Sequence, residues 1–241
     1  EKEFRLFEAL GGGVAAIDYD RDGTLDLHFA QAGCDPPDDA AGGADKLYRG
    51  LGDRFDDVAS LAGVVDRRYS HGVTAGDWNQ DGFADLVVGN IGLNRLWINQ
   101  GDGTFRPGPG GPIWDDPTLT MSVAIADVSG DSCPDIVEIN YVDDPDVFVP
   151  VHDPVTGEPV NLPAPLKFDL AIDRVFVGDG TGHWHSKSLS DGRGSSGPGT
   201  GLGVWIGDLD GDRQNELFVA NDQMPNQLWM NRGDGTFANE A

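Results

Sequence analysis

Short apolar runs recur along the chain, each four to nine residues long and bounded by Gly, Asn or Asp. Four segments align: Gly13 to Leu27, Gly72 to Leu86, Ser122 to Ile136 and Gly203 to Leu217. Each opens on a small-residue apolar run such as Val14 to Ile17, crosses an acidic nonapeptide, and resumes as a β-branched run such as Leu86-Val-Val-Gly89. A third run follows in each unit: Asp45-Lys-Leu-Tyr48, Asn94-Arg-Leu-Trp97, Asp173-Arg-Val-Phe176 and Asn226-Gln-Leu-Trp229. A Gly-Asp-Gly-Thr turn then leads to Phe105 or Phe237; Gly52 to Phe55 is a shorter version and Gly178 to Trp184 a looser one. Runs of this length, with Asp-Gly between them, predict strands and hairpins. No stretch carries a sustained helical period.

The pattern therefore predicts an all-β chain of four-stranded antiparallel units. The leading acids Asp18, Asp77, Asp127 and Asp208 are separated by 59, 50 and 81 residues. A four-stranded unit repeated at such intervals predicts β-propeller blades, which bury their faces only against neighbours. The units span approximately 13–62, 72–110, 121–190 and 202–241, within one propeller domain or fragment covering 1–241. The unequal spacing has one source, the connection between the second and third strands. It is short in units two and four, long in unit one (32–44) and longest in unit three (141–172). Both inserts belong at the end of the blades opposite the acidic turns. The acidic, Pro-rich insert 141–172 reads equally as a ligand loop, a plug over the axis or a cover for a blade edge.

Composition narrows the partners. The 241 residues carry 41 Asp and Glu against 16 Lys and Arg, a formal charge of -25. That excess excludes nucleic acid and anionic membrane surfaces, which need a basic face. Yet 39% of residues are hydrophobic, with 6 Trp and 11 Phe, so a core can form. No apolar run approaches a membrane span, so an integral membrane protein is not expected. Two cysteines, Cys34 and Cys133, make no disulfide framework and are expected at opposite ends of the units, unpaired with each other.

The acids are not spread evenly. The nonapeptides place side-chain oxygens at positions 1, 3, 5 and 9, with a backbone carbonyl at position 7. These are Asp18, Asp20, Asp22, Thr24 and Asp26; Asp77, Asn79, Asp81, Phe83 and Asp85; Asp127, Ser129, Asp131, Cys133 and Asp135; and Asp208, Asp210, Asp212, Gln214 and Glu216. Such alternation wraps oxygens around one centre and suits Ca²⁺, which accepts a flexible shell of 6–8 oxygens. Zinc would need His or Cys side chains. Up to four Ca²⁺ sites are expected. Units one and two lead because Gly23 and Gly82 hold position 6, where Ser132 and Arg213 would strain a left-handed turn. An EF-hand is excluded, because it needs Glu at position 12 and flanking helices; here position 12 is Phe29, Val88, Glu138 and Val219. Fourteen of the 41 acids stand at ligand positions, and four bound Ca²⁺ would leave a formal charge of -17.

These nonapeptides, the run Gly11 to Gly23 and the Asn-Arg-Leu-Trp and Asn-Gln-Leu-Trp elements with their Gly-Asp-Gly-Thr-Phe turns resemble the FG-GAP/VCBS repeats of integrin-α-type propellers. More narrowly, the chain is similar to bacterial proteins related to cartilage acidic protein, which often carry an ASPIC/UnbV segment; none is evident here. The resemblance implies a secreted, periplasmic or cell-surface calcium-binding propeller, commonly of about seven blades, of which four units would be a fragment. It implies a non-catalytic scaffold for an extracellular protein or glycan. On this reading Glu3 to Glu8 would be an outer strand of a preceding blade.

The alternative is a polysaccharide lyase or dehydratase built on such repeats, for which Arg67, Arg68 and His71 form the compact basic cluster. Trp97 and Trp229, with Tyr48 and Phe176 as counterparts, are expected to pack between blades; Trp78 and Trp205 are assigned structural roles as well. Trp114 could stack on a sugar. His183 and His185 are expected on an exposed strand face.

Overall fold

The computed structural model describes residues 5–34, 42–108, 118–160, 163–180, 183–189 and 197–240. Four antiparallel blades form in chain order. Blade one holds β1 (Val14–Ile17), β2 (Asp26–Phe29), β3 (Lys46–Gly50) and β4 (Phe55–Asp57). Blade two holds β5 (Tyr69–Gly76), β6 (Asp85–Gly92), β7 (Arg95–Asn99) and β8 (Phe105–Pro107). Blade three holds β9 (Thr118–Ala126), β10 (Asp135–Asn140), β11 (Arg174–Gly178) and β12 (Trp184–Ser188). Blade four holds β13 (Gly201–Gly207), β14 (Glu216–Asn221), β15 (Gln227–Asn231) and β16 (Phe237–Asn239). Each blade pairs its strands in sequence order, and the inner strands β1, β5, β9 and β13 neighbour one another in turn. The result is a partial propeller. One departure is that β6 runs on to pair with the start of β9, through Ile91 with Leu119 and Gly92 with Thr118, joining blades two and three into one sheet.

The register explains the sequence pattern. Leu86 stands opposite Trp97, Ile136 opposite Phe176 and Leu217 opposite Trp229. These pairs face the preceding blade, while alternate residues Val87 and Val137 face the following one. Three inter-blade cores result. Ala15, Ile17 and Leu47 meet Leu86, Trp97 and Phe105 in the first seam. Trp78, Val87 and Ile98 meet Val123, Ile136 and Phe176 in the second. Val137, Val175 and Val177 meet Leu217, Trp229 and Phe237 in the third. Trp97 and Trp229 are buried between blades as the alternation requires. Tyr48, their counterpart in blade one, is half-buried and packs edge-on against Phe29 of its own sheet. On the far face of blade four, Trp205 is 49% and Phe218 37% exposed, although Val87 and Val137, which match Phe218, are fully buried. The structural role expected for Trp205 is therefore not a buried one here.

One expectation is corrected. The segment at Glu3 to Glu8 is not a strand in its described part: Leu6–Ala9 form a 3-10 turn. The absence of a sustained helical period agrees with the described residues, whose α-helical structure is the single turn α1 (Ala59–Ala62), ended by Gly63 at φ 77°. It is too short for a helical period, and it follows β4 to put Ala59 and Ala62 into the first seam.

The far end of the blades is capped. Leu6 and Phe7 pack with Tyr69, Ile91 and Leu119 from blades two and three, and with Tyr141, Val142, Val147 and Phe168 from the long insert. The apolar residues of insert 141–172 thus pack onto this end of blades two and three. Its acids cap turns: Asp144 accepts from the Asp146 and Asp169 amides, and Asp153 from those of Val155 and Thr156. Most of insert 32–44, and Trp114, lie outside the described residues. Cys34 and Cys133 are not joined in a disulfide.

Candidate functional site

The acidic nonapeptides form the β1–β2, β5–β6, β9–β10 and β13–β14 turns, at one end of the blades. Their backbone is shaped by their own carboxylates. The position 1 carboxylate accepts the amide of position 6 in all four: Gly23 to Asp18 at 3.1 Å, Gly82 to Asp77 at 2.9 Å, Ser132 to Asp127 at 2.8 Å and Arg213 to Asp208 at 3.1 Å. The position 5 carboxylate accepts the amide of position 7, as Thr24 donates to Asp22 and Gln214 to Asp212.

Each loop needs two left-handed residues, at positions 4 and 6. Loops one and two put Gly at position 6 and tolerate Arg21 (φ 58°) and Gln80 (φ 57°) at position 4. Loops three and four reverse this, with Gly130 and Gly211 at position 4 and Ser132 (φ 70°) and Arg213 (φ 74°) at position 6. Every loop therefore carries one glycine and one strained residue, at a cost of ~1–2 kcal/mol each. Backbone strain is therefore shared by all four loops and does not separate them. The compensating glycines were visible in the sequence, but nothing marked position 4 as left-handed.

Position 9 has a further role in the fold. Asp26, Asp85 and Asp135 are fully buried, and both oxygens of each accept backbone amides. Asp85 accepts from Trp78 in its own loop (3.1 Å) and from Asn99 at the end of β7 (2.8 Å). Asp26 does the same with Tyr19 and Gly50, and Asp135 with Val128, Ser129 and Gly178. Burial pushes all three carboxyls up, Asp85 to about 6, against the pull of these amides. Position 9 thus ties each loop to the third strand of its blade. Glu216, longer by one methylene, spends Oε2 on the Leu209 amide (2.7 Å) and leaves Oε1 buried with no hydrogen-bond partner among the described residues.

Among the described residues, two carboxylate groups converge within 4.8 Å: Asp18, Asp20 and Asp22 in loop one, and Asp208, Asp210 and Glu216 in loop four. Asp18 Oδ1, like Glu216 Oε1, is a buried oxygen without a partner. Loops two and three place Asn79 and Ser129 at position 3, so they form no comparable carboxylate triad. Oxygens of this kind, gathered at short range with their lone pairs unsatisfied, fit a hard cation such as Ca²⁺.

The loops are also bolted to the next blade. Tyr19 at position 2 stacks on Phe105 (6.0 Å between centroids), and Trp78 meets Trp184 edge-on (4.9 Å). Asn99 donates to Tyr19 O of loop one at 2.9 Å and Ala84 O of loop two at 3.1 Å; Asn231 repeats this with Val128 O and Asn215 O. Loop meets loop through Gln80 to Ser132 O, Asn215 to Asp127 O, and Arg21 over the Phe83 ring at 5.2 Å. Loop order and seam packing are therefore coupled. Replacing Asn99 by Ala should destabilise the chain by ~1–3 kcal/mol, because it strands two buried carbonyls. A urea midpoint unchanged from wild type would show that the tie contributes nothing.

The other candidates lie elsewhere. Arg68 and His71 are buried, and burial pushes His71 down to about 4, so it stays neutral. Arg67 is exposed and donates to Gly42 O. His183 and His185 are exposed at the start of β12, as expected. No described helix is long and apolar enough to cross a membrane.

Antiparallel blades stacked through apolar seams, with an aspartate-rich turn between the first two strands of each, define a repeat propeller with candidate metal loops. The FG-GAP-like repeat model matches residues 18–88 and 77–138, together half of the chain, and the chain belongs to that family. No curated protein sequence matches it. Among solved structures it is similar to an Agrocybe aegerita lectin that recognises non-reducing terminal N-acetylglucosamine, with 17% identity, a TM-score of 0.47, and coverage of 92% of this chain and 49% of that one. It is similar also to the V. cholerae biofilm matrix protein Bap1, with 16% identity, a TM-score of 0.37, and 98% and 39% coverage. The chain thus spans half or less of the length of these two proteins.

Proposed function

We propose that the chain is a non-catalytic, calcium-binding propeller scaffold that presents its blades to an extracellular protein or glycan. The observation that carries the metal reading is the pair of buried, unpartnered carboxylate oxygens, Asp18 Oδ1 and Glu216 Oε1, each within a group of three converging acids. Asp18, Asp20 and Asp22, with the Thr24 carbonyl, would hold one ion; Asp208, Asp210 and Glu216, with the Gln214 carbonyl, would hold another. Asp77, Asn79 and Asp81, and Asp127, Ser129 and Asp131, are weaker sets with one neutral donor each. A bound ion supplies positive charge that removes the repulsion within each loop, and the loop then holds its seam. Family membership supports the scaffold role, and a secreted, periplasmic or cell-surface location belongs to the same proposal. Burial of Arg68 and His71 removes the open basic pocket that a lyase acting on acidic sugars would need, so the scaffold is preferred. Calorimetric titration with Ca²⁺ tests it. Glu216→Gln should remove one of the tighter binding events and leave the other. Titrations of the wild type that show no binding heat at millimolar Ca²⁺ would refute it.

A further inference from the structure

Loop one differs from the other three in what surrounds its carboxylates. The Arg49 guanidinium on β3 lies 2.7 Å from Asp20 Oδ2 and 2.9 Å from Asp22 Oδ2, so one nitrogen, Nη2, bridges positions 3 and 5. The inner oxygens of the same two carboxylates are already engaged by the loop, Asp20 Oδ1 by the Asp22 amide and Asp22 Oδ1 by the Thr24 amide. In loop four the inner oxygens are engaged in the same way by Asp212 and Gln214, but no described cation meets Asp210 or Asp212. The register makes Ile98, Val177 and Met230 the equivalents of Arg49 in the other blades. An apolar position in three blades is a guanidinium in the first, beside one of the two loops whose carboxylates converge within 4.8 Å. Arg49 is 38% and Asp20 14% exposed, so water screens the contact only in part.

We propose that Arg49 is a resident counter-cation of loop one, which a divalent metal must displace or share carboxylates with, and that it sets the metal affinity of this loop below that of loop four. The proposal rests on the calcium reading of the loops. A fixed positive charge does two things here. It neutralises part of the repulsion among Asp18, Asp20 and Asp22, so loop one stays formed without metal. It also opposes an incoming ion, both by repulsion and by holding two of the oxygens the ion would use. Loop four has no such substitute and depends on the ion itself. The first seam is then held at all calcium levels, and the third responds to them.

The test is calcium titration of the full chain by calorimetry, comparing wild type with Arg49→Ile, the residue type blade two carries at that place. Arg49→Ile should tighten one binding event roughly tenfold and leave the loop four event, identified by its loss in Glu216→Gln, unchanged. The gain should vanish when Asp18→Asn is added. Arg49→Lys keeps the charge and should retain the weaker affinity, which keeps the test available if the isoleucine variant folds poorly. An unchanged or weakened loop one affinity in Arg49→Ile would overturn the proposal and make Arg49 a support for the ligands. Absence of calcium binding in every variant would overturn the calcium reading itself, a different result from loss of the Arg49 effect alone.

Discussion

Excess EGTA is expected to lower the thermal midpoint of this chain by ~10–20 °C relative to millimolar Ca²⁺. The estimate follows from two sites, loop four adding ~2.7 kcal/mol when free metal is 100 times its Kd and loop one, with its weaker affinity, adding less. For a chain of this size 1 kcal/mol shifts the midpoint by ~2–4 °C. The direction is secured by the loops themselves. Removing the ion leaves three carboxylates within 4.8 Å in each loop, and loop four lacks the guanidinium that bridges two of them in loop one. Repulsion there also loosens the Asn231 and Val128 contacts that close the third seam. Asp208→Asn with Glu216→Gln should shrink the EGTA shift by more than half, since only loop one, with its weaker affinity, remains. Magnesium should protect less, because these wide, partly backbone-engaged shells suit a larger ion. Coincident melts with and without EGTA, in a protein shown to be folded, would exclude structural calcium.

How much of this was legible in the letters depends on sequence distance. The nonapeptides are local: ligands, turn and flanking strands lie within fifteen residues, so alignment of four copies exposes them. The Trp97 and Trp229 seams were legible for the same reason, since strand alternation fixes which face a residue takes. The role of position 9 was not. Asp85 looks like a ligand by spacing, and only the approach of Asn99 fourteen residues away shows that its oxygens are engaged by amides. Arg49 is 27 residues from Asp22, and no periodicity links a third strand to the turn before the second. The apolar cap at the far end was illegible in a further sense. Leu6 and Phe7 belong to no repeat, and their partners in 141–168 form no periodic pattern. Repetition carries the blades, and the features that distinguish one blade from another have to be seen in space.

Replacing Asp173 by Asn should stabilise the chain increasingly as pH rises. Asp173 precedes β11, is 5% exposed, and its Oδ1 accepts the Asn140 amide at 2.8 Å, closing the turn from β10. Blades two and four make the same closure with a neutral amide: Asn94 accepts from Asn90 and Asn226 from Asn221. Burial pushes the Asp173 carboxyl up to about 7, and nearby Glu138 pushes the same way, while the Asn140 amide opposes them. A folded value above the unfolded one means that the native state keeps a proton the unfolded chain has released. The stability from that proton is full below the unfolded value near 4, falls as pH rises, and is gone above about 7. Between pH 5 and 8 the wild type should therefore lose ~2–3 kcal/mol through this group. The amide introduced by Asp173→Asn would keep the acceptor and carry no charge to bury, so the variant's advantage should grow by that amount over the same range. Asp45→Asn should act in the same direction, since burial also brings Asp45 to about 7 in the matching turn of blade one. Urea titrations at pH 5 and pH 8, in saturating calcium so that the metal loops contribute equally, make the comparison. A gap between variant and wild type that stays constant across pH, or an Asp173→Asn chain less stable than wild type at pH 8, would mean that Asp173 is ionised and held by partners its burial conceals.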